Sequence, residues 1–113
     1  MKLGFIGFGG AGYGLAKGLK QTGIAEIHYY DRMQQTPPYA EVIRRHAEET
    51  GALQADGMEE LLSRVETVIS CVTGAMAVSV AEEAAPFLRT GHLYADVNTS
   101  APQVKEPNFP KKL

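Results

Sequence analysis

Three glycines set between an apolar run and a helix-patterned stretch constrain this chain more than any other feature. Leu3-Gly4-Phe5-Ile6 reads as a short buried strand, Gly7-Phe8-Gly9-Gly10-Ala11-Gly12 follows it, and helical periodicity continues to about Thr22. Each glycine has a separate duty in that order. Gly7 lets the backbone turn sharply out of the strand. Gly9, lacking a Cβ, lets a ligand come close to the main chain, and Gly12 lets the helix pack tightly on the sheet. The first helical turn has N–H groups with no intrahelical partner, and together with the helix dipole they favour a phosphate. About twenty residues on, Ile27-His28-Tyr29-Tyr30 ends in Asp31, an acid placed to accept from a ribose hydroxyl. This register points to a dinucleotide. Its pyrophosphate would lie on Gly7, Phe8, Gly9, Gly10, Ala11 and Gly12, and its ribose beside Asp31 and Arg32.

The rest of the chain alternates short apolar runs with helical periods, the habit of a parallel sheet covered on both faces. Strands are expected near residues 2–8, 25–30, 52–55, 67–72 and 92–97. Helices are expected after the glycines, near 39–50, from the Asp56-Gly57-Met58-Glu59 capping-box spacing to about Arg64, and near 75–89 with a break at Pro86. The fold class implied is α/β, a Rossmann-type doubly wound, mostly parallel sheet of strand order 3-2-1-4-5 with right-handed crossovers. In the first helix Ala11, Leu15 and Leu19 form an apolar stripe, with Lys17 and Lys20 outward. Gly14 and Gly18 each weaken that helix by about 1 kcal/mol relative to alanine, a cost that close packing against the sheet or another domain would offset. Thr36 and Pro37 read as N-cap and first residue of the second helix. Glu41 with Arg45, Arg44 with Glu48 and Arg45 with Glu49 have the spacing of exposed helical ion pairs. Thr73 has an N-cap reading of its own.

The 113 residues suit one domain with a real core, and 11 basic against 13 acidic side chains give a formal charge of −2. Neither a nucleic-acid groove nor an anionic membrane surface is indicated. No apolar stretch approaches the roughly 18–20 residues of a membrane span, and no signal-peptide pattern opens the chain. A lone cysteine, Cys71, excludes an internal disulfide and suits a reducing compartment, so a cytoplasmic location is expected. Cys71 sits inside an apolar run and reads as a small buried hydrophobe. His28, His46 and His92 have no metal-ligand spacing and read as a strand face, a helix surface and a strand start; no metal site is expected.

Gly4-Phe5-Ile6-Gly7-Phe8-Gly9 with Gly12, Ala16 and Leu19 resembles the N-terminal segment of the β-hydroxyacid dehydrogenase family, which includes 3-hydroxyisobutyrate dehydrogenase, tartronate semialdehyde reductase and, more distantly, 6-phosphogluconate dehydrogenase. Asp96-Val97-Asn98-Thr99-Ser100-Ala101-Pro102 is similar to the family's D-x-S-T-x-x-P substrate loop, with Asn98 in place of serine. Cys71-Val72-Thr73 stands where a Leu-Pro pair often lines the cofactor. The resemblance implies cofactor contacts from Val72, Thr73 and Thr99, and substrate contacts from Asn98, Thr99 and Ser100. A turn ending a strand before proline is the rival reading of that last loop. Ala11 and Leu15, where methionines are common, and Gly18, where asparagine is usual, depart from the family pattern.

The resemblance covers about residues 1–104 and implies the NAD(P)-binding domain of an oxidoreductase acting on a small hydroxy acid or related carbonyl. Asp31 favours NAD, whereas Arg32 suits the 2′-phosphate of NADP, so both cofactors stay open. No catalytic residue is assigned. The family's catalytic lysine lies in a helical domain with no counterpart in this sequence, so the chain alone is expected to be inactive. Residues 105–113, with two prolines and three lysines, read as a poorly ordered tail. A stand-alone dinucleotide-binding sensor or scaffold without chemistry, and a truncated or frame-altered enzyme, are the alternatives. The surface around residues 73–80 and 98–102, which the family covers with its helical domain, would be left open to self-association.

Overall fold

A computed structural model of the chain describes residues 1–23 and 26–97. The elements follow the apolar runs and their punctuation. Strand β1 spans Lys2–Ile6, helix α1 Ala11–Thr22, β2 Glu26–Tyr30, α2 Tyr39–Thr50, β3 Leu53–Gln54, α3 Met58–Arg64, β4 Thr67–Ser70, α4 Gly74–Ala84 and β5 Leu93–Asp96. Gly23 and Gly51 close α1 and α2 in the left-handed conformation, φ 69° and 74°, where a side chain would be strained. Pro86 turns the end of α4 into a single 3-10 turn, Ala85–Phe87, because proline has no N–H for the helical ladder.

The five strands form one sheet in the order β3-β2-β1-β4-β5, every pair parallel. This Rossmann-like arrangement is the one expected from the sequence. Alternation along β1 sends Leu3 and Phe5 to one face and Ile6 to the other, producing two cores. On one side Leu3, Phe5, Phe8, Ile27 and Tyr29 pack with Ala16 and Ile43 from α1 and α2. On the other, Ile6 and Val68 pack with Leu61, Leu62 and Val80 from α3 and α4. Each large apolar side chain so buried contributes about 1.5–3 kcal/mol.

Several local expectations are corrected. The buried face of α1 carries Gly12 and Ala16, while Leu15 is exposed. Gly12 sets this phase by its approach to the carbonyl of Gly7, which rotates Ala11 and Leu15 outward. Gly14 and Gly18 meet nothing within 4 Å where a Cβ would stand, so neither packs on the sheet. Helix α2 starts two residues later than Pro37, after Pro38, with no side-chain cap from Thr36. Its Arg44–Glu48 pair forms at 2.8 Å, but Glu49 faces α1, where it accepts from Tyr13 and lies 3.7 Å from Lys17. At α3 the N-cap is Gly57, and Glu60 rather than Glu59 reaches back, its carboxylate accepting from the Asp56 N–H at 2.6 Å. Residues 98–113, with the expected tail and the loop carrying Asn98, Thr99 and Ser100, lie outside the described residues, as does Ala25 at the expected start of β2.

Candidate functional site

In an open parallel sheet the strand order reverses between β1 and β4, and the loops leaving those strands diverge to opposite faces. A cleft of about 360 Å³ opens there, beyond the carboxyl ends of β1, β2 and β4. Gly7 leaves β1 at φ +92°, and a Cβ on it would stand 2.8 Å from the Cys71 carbonyl oxygen. Its N–H donates to the Tyr30 carbonyl at 2.9 Å, while the Cys71 N–H donates to the Ile6 carbonyl at 2.8 Å. The turn is thus held to both neighbouring strands. A Cβ on Gly12 would lie 2.2 Å from the Gly7 carbonyl oxygen, so only glycine lets α1 begin this close to the strand.

Gly9 and Gly10 behave differently. A Cβ at either would meet no protein atom within 4 Å, and both line the cleft. Helix α1 has no side-chain cap and no acid in its first turn, so its N–H groups and positive dipole end face that space uncompensated. A group entering the cleft from outside can therefore approach this main-chain cradle, and the uncapped start of α1 suits an anion. A pyrophosphate fits that donor set.

Asp31 is positioned by the main chain. One carboxylate oxygen accepts from the Phe8 N–H at 2.8 Å and the other from the Met33 N–H at 2.9 Å. The carboxylate therefore ties the glycine turn to the end of β2, and its remaining lone pairs can still accept from a hydroxyl. The Phe8 carbonyl is held as well: it accepts from Nδ1 of His46, on α2, at 3.0 Å. His46 also stacks on Tyr13 with ring centroids 3.7 Å apart, so it is more than the helix-surface residue its spacing suggests. Phe8 itself points into the core, stacked on Tyr29 at 4.5 Å. Its contribution to the site is its peptide group.

Of the residues singled out from the sequence, Gly7, Gly9, Gly10, Ala11, Asp31, Arg32, Val72 and Thr73 line this one cleft. Gly12 and Phe8 support it from behind. Tyr30, Met33, Met58, Met76, Val80 and Glu83 also line it, and sequence reasoning missed them. Met76, Val80 and Glu83 share one face of α4 at i, i+4, i+7, a helical spacing that was available as a signal. Burial, then Glu83 and Asp31, hold the Tyr30 hydroxyl above the usual phenol range, with Arg32 opposing; Tyr30 faces the cleft as a neutral donor. Cys71 is pushed up to about 11, first by burial and then by the Asp96 carboxylate, so at neutral pH it is a thiol rather than a nucleophile.

Among the described residues no group of three or more His, Cys, Asp or Glu stands together to hold a metal ion, and no helix is long and apolar enough to cross a membrane.

The sequence matches the family model of the NAD-binding domain of 6-phosphogluconate dehydrogenase over residues 2–108. No curated protein matches it significantly. Among solved structures, a conserved hypothetical protein from Sinorhizobium meliloti 1021 is similar at 31% identity and TM-score 0.79, over 93% of this chain and 35% of that one. Synechocystis arogenate dehydrogenase shares the fold at 22% identity and TM-score 0.69, over 95% of this chain and 36% of that one. An imine reductase from Myxococcus stipitatus, solved in complex with NADP+, does so at 21% identity and TM-score 0.65, over 98% and 36%. The chain therefore spans about a third of the length of these structures.

Proposed function

This chain belongs to the family of NAD-binding domains of 6-phosphogluconate dehydrogenase, and from that premise we propose that it is the nucleotide-binding part of an oxidoreductase acting on a small hydroxy acid or a related carbonyl or imine. The observation that carries the proposal is the cradle at Gly9 and Gly10, open where a Cβ would stand and facing the uncapped start of α1. The loop amides hold the pyrophosphate there, Asp31 accepts from the adenosine ribose, and Met33, Met58, Met76 and Val80 supply apolar walls for adenine. Val72 and Thr73 continue the binding surface toward the nicotinamide. Thr99 with Asn98 and Ser100, outside the described residues, are proposed to meet the nicotinamide ribose and a substrate carboxylate. When bound, the nicotinamide supplies hydride acceptance and donation.

Both arogenate dehydrogenase and the NADP+-bound imine reductase are oxidoreductases by name, in keeping with this class. The Asp31 carboxylate favours NAD, since a 2′-phosphate there would meet a fixed negative charge. General acid–base assistance, worth about 10²–10⁴ in rate, is assigned to residues beyond those that line this cleft.

The test is calorimetric titration of the 113-residue chain with NADH and NADPH. Micromolar-to-millimolar binding is expected, weakened tenfold or more by Gly9→Val. A Cβ at that position touches nothing in the protein, so the loss would report on the ligand. No binding by the parent chain, or undiminished binding by Gly9→Val, overturns the site. Steady-state oxidation of 3-hydroxyisobutyrate by the chain alone would overturn the placement of the acid–base group.

A further inference from the structure

We infer that Glu83 is a specificity-determining residue of this cleft: by engaging Arg32 across its mouth it withholds the guanidinium from a 2′-phosphate and strengthens the preference for NAD over NADP. The inference rests on the reading of the cleft as a dinucleotide site. Arg32 follows Asp31 at the end of β2, and Glu83 lies in the last turn of α4, on the opposite wall. The guanidinium Nη2 is 3.6 Å from Oε1 of Glu83, with the two side chains 47% and 39% exposed.

The charges lining the cleft decide the sign. They are two carboxylates, Asp31 and Glu83, and one guanidinium, Arg32. A 2′-phosphate, with about −1.5 to −2 charges at pH 7, would have to displace Glu83 from Arg32 and then sit between two carboxylates. A ribose with a free 2′-hydroxyl does neither. Asp31 cannot swing aside without cost, because the Phe8 and Met33 N–H groups hold both of its oxygens. Glu83 makes no such main-chain contact among the described interactions, so it acts on the cleft through its charge and its pair with Arg32. Arg32 would therefore offset the fixed charge of Asp31 toward a 2′-phosphate, and Glu83 is the group that cancels that offset. The Tyr30 hydroxyl, which feels Glu83, Arg32 and Asp31 together, marks the point where their fields meet.

The experiment compares Kd for NAD+ and NADP+ on the parent chain, Glu83→Gln, Arg32→Ala and the double variant, by titration calorimetry at fixed ionic strength. Both ligands are measured on the same preparation, so any loss of folded protein cancels in their ratio. Glu83→Gln is expected to improve NADP+ binding relative to NAD+ by roughly tenfold, the scale of one charge removed several ångströms from a phosphate. NAD+ itself should change less than about twofold, and with Arg32 also replaced by alanine the shift should fall below about threefold. A ratio unchanged within twofold, or moved toward NAD+, in Glu83→Gln overturns the inference while leaving dinucleotide binding intact. A shift that survives at full size without Arg32 overturns the pairing mechanism. Absence of binding by the parent chain to either dinucleotide overturns the underlying reading and this inference with it.

Discussion

Two glycines in α1 are expected to respond to alanine with opposite signs. At Gly12 a Cβ would stand 2.2 Å from the Gly7 carbonyl oxygen and 3.5 Å from Cβ of Cys71. Reaching an ordinary contact requires α1 and the glycine turn to separate by about 1 Å, and overpacking of this kind costs about 1–3 kcal/mol. The obstacle is backbone, so no rotamer change relieves it. Gly12 is the second residue of α1, where the helix-interior gain of alanine, about 0.8–1 kcal/mol, applies only in part, leaving a net loss of about 1–2 kcal/mol. At Gly18 the same Cβ meets nothing within 4 Å, so only the propensity gain remains. For a domain of this size 1 kcal/mol moves Tm by about 4 °C. Thermal unfolding followed by circular dichroism should show Gly12→Ala several degrees below the parent and Gly18→Ala a few degrees above. Dinucleotide affinity should fall only in the former, since the shift carries the first turn of α1 away from the loop. Gly12→Ala melting at or above the parent temperature would refute the close-packing argument.

Three further outcomes follow from named contacts. His46→Ala should weaken NADH binding about threefold to tenfold by releasing the Phe8 carbonyl, held at 3.0 Å, and His46→Asn, which keeps a donor at similar reach, should recover most of it; fluorescence titration with equal affinity for the alanine variant would count against this. Because the Cys71 thiol titrates near 11 rather than 9.0, its thiolate at pH 8 should be about 100-fold scarcer than in the unfolded chain and its alkylation correspondingly slow. The sign follows from a raised folded pKa: this contribution to stability is present below pH 9 and is lost as pH rises toward 11, which denaturant titrations across that window would detect. His92→Ala should cost about 1–3 kcal/mol in urea unfolding, because Nε2 donates to the Leu62 and Val65 carbonyls at 2.9 and 3.0 Å and Nδ1 accepts from the Arg89 N–H at 2.8 Å; unchanged stability would contradict that role.

Much of the site was legible because its parts are local. The sharp exit at Gly7, the open approach at Gly9 and the acid ending β2 each follow from the chemistry of a few adjacent residues, the alternation of apolar runs with helical periods carried the parallel α/β class, and the glycine fingerprint carried the strand order. The direction of α1 was legible, but its phase was not. Leu19 packs partly on the core as expected, but Ala11 and Leu15 satisfy the apolar periodicity as well as Gly12 and Ala16 do, and a glycine registers in such a pattern only as an absence. The buried stripe was decided when α1 met the Gly7 carbonyl.

The sequence by itself determined the βα alternation, the glycine turn and the identity of the groups offered to a ligand, because backbone freedom, hydrophobic period and side-chain chemistry are properties of short segments. Only the tertiary structure decided what those groups face. Asp31 is turned onto the Phe8 and Met33 N–H groups, His46 reaches the Phe8 carbonyl from α2, and Glu83 stands opposite Arg32 from α4. Such meetings join residues far apart in the chain and arise only when helices pack on both faces of a parallel sheet. Their partners are therefore set by layer geometry, which no local pattern encodes.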